Sequence, residues 1–192
     1  MASKPLRDWA KARAAQLDEI RAAHTAVGGS SSGRRYATQQ INQAYLVMLS
    51  GQFQGFCRDL HSEAADVIAG SITPSLLQPV FRARLTEGRK LDSGNPTPGN
   101  LGSDFGRLGM DFWPEVNALH LWNPRRQAHL ELVNNWRNAI AHQDFDPTRL
   151  GGRTVLWLAH VDGWRRVCGA LAAMFDRAVA DHIERITGTR PW

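Results

Sequence analysis

Arg137, Asn138 and His142 stand within six residues of one another near the start of the last third of the chain. An arginine can hold a phosphate through paired N–H donors, and a histidine can move a proton near neutral pH. Cleavage of an RNA phosphodiester without a metal needs those two kinds of group. The bare spacing is weak. In an arginine-rich chain with 7 His, an Arg five positions before a His is expected about 0.7 times by chance. The element that carries these residues therefore has to supply much of the argument.

Residues 124–142 read as a helix. Asn123-Pro124 offers a capping residue followed by proline at the first helical position, and Asp144, Asp146 and Pro147 end the pattern. Leu130, Val133, Trp136 and Ile140 are expected to face a core. Glu131, Asn134, Asn138 and His142 fall at i, i+3, i+7 and i+11, close to one face, so the motif lies on a polar stripe. Arg137 lies about 100° round from Asn138, and its long side chain can reach over it. In the plainer reading, Arg137 and His142 serve the carbonyls and dipole at a helix C-terminus, and Asn134 and Asn135 are solvated.

The surrounding sequence is nearly all helical in pattern. Residues 5–24 place Leu6, Trp9, Leu17, Ile20 and His24 on one stripe of an amphipathic helix. Gly28-Gly29-Ser30-Ser31-Ser32-Gly33 breaks it as a flexible link, so this first helix is expected to be a loosely attached arm. Residues 36–69 step apolar side chains by three and four from Ile41 to Ile68, a helix of roughly 50 Å. Gly51 and Gly55, one turn apart, mark a packing groove. Thr73-Pro74 opens a helix to about Glu87, residues 88–103 form a long loop, and 104–122 hold short helices broken near Gly109 and Pro114. Residues 153–159 fit a short strand or a buried turn. Asp162 caps a last helix whose core stripe runs from Trp164 to Ile186. The sum is an all-α helical bundle with two long core helices, divided into an N-terminal helix and linker (1–33) and a helical domain (34–192).

At 192 residues and 43% hydrophobic, the chain can bury a real core. No apolar run approaches the roughly 20 residues of a membrane span, and Met1 to Asp8 lacks a secretory signal's apolar stretch, so a cytoplasmic location is the expectation. Cys57 and Cys168 lie in apolar helical patterns and read as buried thiols, not as a disulfide framework. The net charge of +5 fits a polyanionic partner. Of the 23 basic residues only Lys4, Lys11 and Lys90 are lysines; genome composition accounts for such a bias as readily as phosphate binding does.

Arg137-Asn138 with His142 resembles the Arg-x(4–6)-His signature of the HEPN superfamily, the higher eukaryote and prokaryote nucleotide-binding helical domain. Three further stretches are similar to its RiboL-PSP-HEPN branch. They are Tyr45 to Phe53, Phe56-Cys57-Arg58-Asp59-Leu60-His61, and Pro98-Gly99-Asn100-Leu101-Gly102 through Gly109 with Trp113. The similarity covers residues 36–188. It implies a helical bundle paired as a two-fold homodimer with the motif helices facing one another. It also implies a metal-independent endoribonuclease of toxin or antiviral-effector type that uses no cofactor. The implied partners are RNA, a second copy of the chain and an antitoxin protein. On that reading His142 transfers protons, Arg137 clamps the phosphate, and Asn138 orients His142 or the phosphate. A two-fold axis through the site doubles each group, and the products are a 2′,3′-cyclic phosphate and a 5′-hydroxyl. The alternative is a non-catalytic HEPN-like module that binds RNA, nucleotide or a protein partner. Some superfamily toxins carry a tyrosine two residues after the motif histidine, where a partner enzyme modifies it; here that residue is Asp144.

Other signals are fainter. His61, in Asp59-Leu60-His61-Ser62-Glu63, reads first as a satisfied buried histidine and second as support beside His142. Asn134 and Glu131 share the polar stripe and are candidates for substrate contact or support. The remaining histidines lack metal-ligand spacing, no glycine-rich phosphate loop follows a strand, and no turn motif supports a serine hydrolase.

Overall fold

Runs of apolar residues spaced by three and four build the two helices that carry the bundle. The computed structural model describes residues 1–28 and 36–192, and no strand occurs among them. Chain order runs through α1 (Lys4–Asp8), a π-helical turn (Trp9–Arg13), α2 (Ala14–Gly28) and α3 (Tyr36–Gly70). Next come α4 (Gln78–Thr86), α5 (Pro98–Gly106), α6 (Phe112–Ala118), α7 (Asn123–His142) and α8 (Leu158–Thr187). Helix α3 is 35 residues long and α8 is 30, and they pack against each other as the two long core helices. Among the described residues no helix is long and apolar enough to cross a membrane.

The core is aromatic where α3, α6 and α8 meet. Phe53 on α3 lies 5.9 Å from Phe175 on α8, and Phe175 lies 4.8 Å from Phe112, which stacks on Phe105. A second cluster sets Trp136 of α7 6.3 Å from both Trp164 of α8 and Phe145 of the following loop. Ring pairs of this kind add about 0.5–1.5 kcal/mol each beyond area burial. Cys57 and Cys168 are buried free thiols, and burial pushes Cys168 up to about 12.

The first helix is not a loose arm. Trp9 and Leu17 are buried in the common core, and Trp9 packs edge-on to Phe53 at 5.7 Å. Arg165 binds Asp18 at 2.7 Å and Arg21 binds Asp162 at 3.2 Å, while the Ser3 N–H donates to the buried Asp176. Gly55 on α3 leaves room for the Arg13 guanidinium, which is hydrogen-bonded to Gln52 and Asp59. The expectation failed because a glycine-serine stretch says nothing about whether the helix before it has a docking surface. Gly29 to Gly33 of that stretch lie outside the described residues; Gly28 ends α2.

Four boundaries differ from expectation. Pro74 follows a cis bond and does not open α4; a short 3₁₀ turn at Ser75–Leu77 comes next, and α4 begins at Gln78 with Pro79 in its first turn. The expected loop at 88–103 ends early. Thr97 caps α5, its hydroxyl accepting from the Asn100 N–H at 3.1 Å, and Pro98 takes the first helical position. Asn123 does not cap α7; its buried amide instead donates to the Val116 carbonyl at 2.7 Å, tying α7 to α6. Asp162 lies inside α8, not at its start, where it receives Arg21 and the Tyr45 hydroxyl. Residues 153–157 form no strand; they bury Leu156, whose carbonyl accepts from Asn42.

Candidate functional site

Helix α7 supplies the candidate site because its last two turns are only half covered. Leu130, Val133 and Trp136 anchor it in the core, and Ile140 packs at the core's edge. The helix stops at Gln143, whose left-handed conformation (φ 55°) turns the chain away. The next residues fold back alongside, held by the Asn135 side chain donating to the Arg149 carbonyl at 3.2 Å.

This fold-back encloses a small open cleft of about 100 Å³. Asn135, Asn138 and His142 line it from α7, and Asp144 and Arg149 line it from the loop. The His142 imidazole is exposed at the rim. The Arg149 guanidinium lies 4.0 Å from the Asp144 carboxylate, and both groups are well exposed, so water screens that attraction strongly. The Asn138 carbonyl oxygen accepts from Asn95 at 2.6 Å and from Arg137 at 3.4 Å. Asn95 is in turn fixed by Asn100, which donates to its backbone carbonyl at 2.8 Å. Two donors thus fix which end of the Asn138 amide is free to face the cleft.

Of the residues singled out from sequence, Asn138 and His142 meet in this cleft. Arg137 does not line it. Five residues of helix place Arg137 about 140° round from His142, and among the described residues its side chain hydrogen-bonds only with Asn138. Among the described residues no carboxylate pairs with it. Glu131 is exposed on α7 and outside the cleft lining. Asn134 is 1% exposed, with its amide donating to the Pro96 and Leu130 carbonyls, so it fastens the 95–97 loop to α7 and offers a substrate nothing.

His61 is fully buried, and its contacts are not those of His142. Its Nε2–H donates to the Asp104 carbonyl at 2.9 Å, and Nδ1 accepts from Arg89 at 3.3 Å. Burial and the nearby Arg89 charge push it down to about 4, so the ring is neutral near pH 7. The Asp104 carboxylate accepts the backbone N–H groups of Lys90 and Leu91 at 2.9 and 2.8 Å. This set latches α3, α5 and the turn before it.

Sequence reasoning missed Arg149 and Asn95. Both come from irregular segments, where no periodicity indicates which way a side chain points. Among the described residues no three His, Cys, Asp or Glu side chains converge as metal ligands would. Compared with known proteins, the chain matches no family model, no curated protein and no solved structure.

Proposed function

We propose that this chain is a metal-independent endoribonuclease of the kind its HEPN-like motif implies, acting as a homodimer. The observation that carries the proposal is the divergence of two groups on one helix end. His142 opens into a cleft with Asn138 and Arg149, while Arg137, free of carboxylates among the described residues, stays outside that lining with its guanidinium on the Asn138 carbonyl oxygen. One protomer therefore places its motif imidazole in the cleft and its motif guanidinium outside the cleft lining, about 140° round the helix. A second copy across a two-fold axis brings its own motif arginine and histidine to the first. A base then removes the 2′-hydroxyl proton, and that oxygen bonds to phosphorus. The 5′-oxygen departs with a proton from an acid, leaving a 2′,3′-cyclic phosphate and a 5′-hydroxyl. His142 is assigned the proton transfers, Arg137 the charge on the phosphorane, and Asn138 their orientation. A toxin role answered by an antitoxin protein rests on the resemblance.

Incubating the purified protein with RNA in EDTA tests this. Cleavage should persist, the ends should be cyclic phosphate, and His142→Ala should abolish scission. Arg137→Lys should impair it, because the paired donors are lost. Full activity in His142→Ala would end the proposal. A second reading, a non-catalytic binding module, draws on Asp144, whose carboxylate sits in the cleft beside Arg149. It predicts RNA retention without strand scission.

A further inference from the structure

Eight described arginines lack a carboxylate partner; Arg7, Arg84 and Arg107 lie elsewhere, and the other five gather in one region of the surface. Among the described residues, Arg125, Arg126, Arg137, Arg153 and Arg166 have no Asp or Glu within 4.0 Å, and all lie on α7, the loop after it, or the first turns of α8. By contrast Arg21 and Arg165, at the border of this region, are each tied to an aspartate.

Three of these five, Arg125, Arg126 and Arg153, line a groove between α7 and α8. One part, of about 340 Å³, is lined by Trp122, Arg125, Arg126 and His129; the next, of about 290 Å³, by His129, Arg153, His160 and Trp164. The two share His129 and Val167, so they are continuous, and neither lining contains a carboxylate. Trp122 is 50% exposed, with Arg125 5.7 Å from its ring centre. Trp157, whose backbone N–H donates to His160 Nδ1, is 56% exposed. Burial and then the Arg153 charge both lower His160.

The groove leads to the cleft. Arg125, His129, Leu132, Asn135, Ala139 and His142 follow one another by three and four along one side of α7, a run of roughly 26 Å. The first two line the groove, and the last three line the cleft. Leu132 bridges them, lining the groove beside Gly151, one residue past the cleft residue Leu150.

We infer that this groove binds single-stranded RNA and delivers it to the His142 cleft, with bases stacked on Trp122 and Trp157 and backbone phosphates held by Arg125, Arg126 and Arg153. Exposed tryptophans beside an acid-free basic channel suit splayed bases, which a duplex keeps paired inside. The inference rests on the nuclease reading for what happens at the cleft, but binding can be measured without it.

The test uses His142→Ala protein, a fluorescent single-stranded RNA and a duplex of the same length. Single-stranded RNA should bind at least tenfold more tightly than duplex. Trp122→Ala should weaken it about fivefold to a hundredfold. Arg125→Ala and Arg153→Ala should each weaken it severalfold and lower the salt dependence by about one phosphate contact. Arg84→Ala, which removes an exposed arginine from α4, should change nothing. Equal affinity for duplex, unchanged binding in the groove variants, or an equal loss in Arg84→Ala would overturn the inference. Failure of the nuclease reading would show separately, as tight groove-dependent binding by a wild-type protein that cuts nothing.

Discussion

At the scale of single residues, similar side chains have taken different roles according to burial. His61 and His142 are both histidines on long helices, yet one is fully buried with both ring nitrogens engaged and the other stands exposed at a cleft. The buried ring makes stability depend on pH. Its folded value, about 4, lies below the usual 6.5, so the unfolded chain binds the extra proton between those values. Its contribution is therefore complete above pH 6.5 and is lost as pH falls through 4, amounting to roughly 3 kcal/mol. Denaturant titrations from pH 7 to 4 should show this decline, and it should flatten in His61→Gln. An equally steep decline in that variant would assign the acid sensitivity to other groups.

At the scale of elements, the first helix and α7 show how docking decides what a sequence pattern becomes. The stripe of Leu6, Trp9, Leu17 and Ile20 was legible as amphipathic, but only the partner surface on α3 and α8 makes the helix part of the core. Trp9 is 8% exposed and touches both Phe53 and Phe56. Trp9→Ala should cost about 3–5 kcal/mol, a large share of a typical domain's 5–15 kcal/mol. A loose arm would instead lose almost nothing, and thermal unfolding of the variant separates the two. In α7 the core side was legible from the spacing of Leu130, Val133 and Trp136. The role of Asn123 was not, because capping propensity is local and the Val116 carbonyl that claims its amide comes from a different helix.

At the scale of the whole molecule, the divergence of Arg137 and His142 makes the proposed chemistry a property of two chains. Mixing offers a direct test. Arg137→Ala and His142→Ala proteins, each inactive alone, should recover part of the activity when co-expressed, since the mixed dimer retains one guanidinium and one imidazole at the shared site. No recovery in a preparation shown to contain mixed dimers would confine the site to one protomer. A chain that stays monomeric at the concentrations where it cuts RNA would do the same.

The amino-acid order by itself determined the all-helical class, the two long core helices, the buried thiols and the motif helix. These depend on periodicity and composition, which repeat every turn and need no knowledge of distant segments. It also brought Asn138 and His142 forward as neighbours, because four residues of helix fix that geometry. Only the tertiary structure decided that Asn134 and His61 are sealed inside, that Asn95 holds Asn138, and that Arg149 returns to face His142. Each of those depends on where an irregular segment comes to rest, and that is set by packing between elements far apart in the chain.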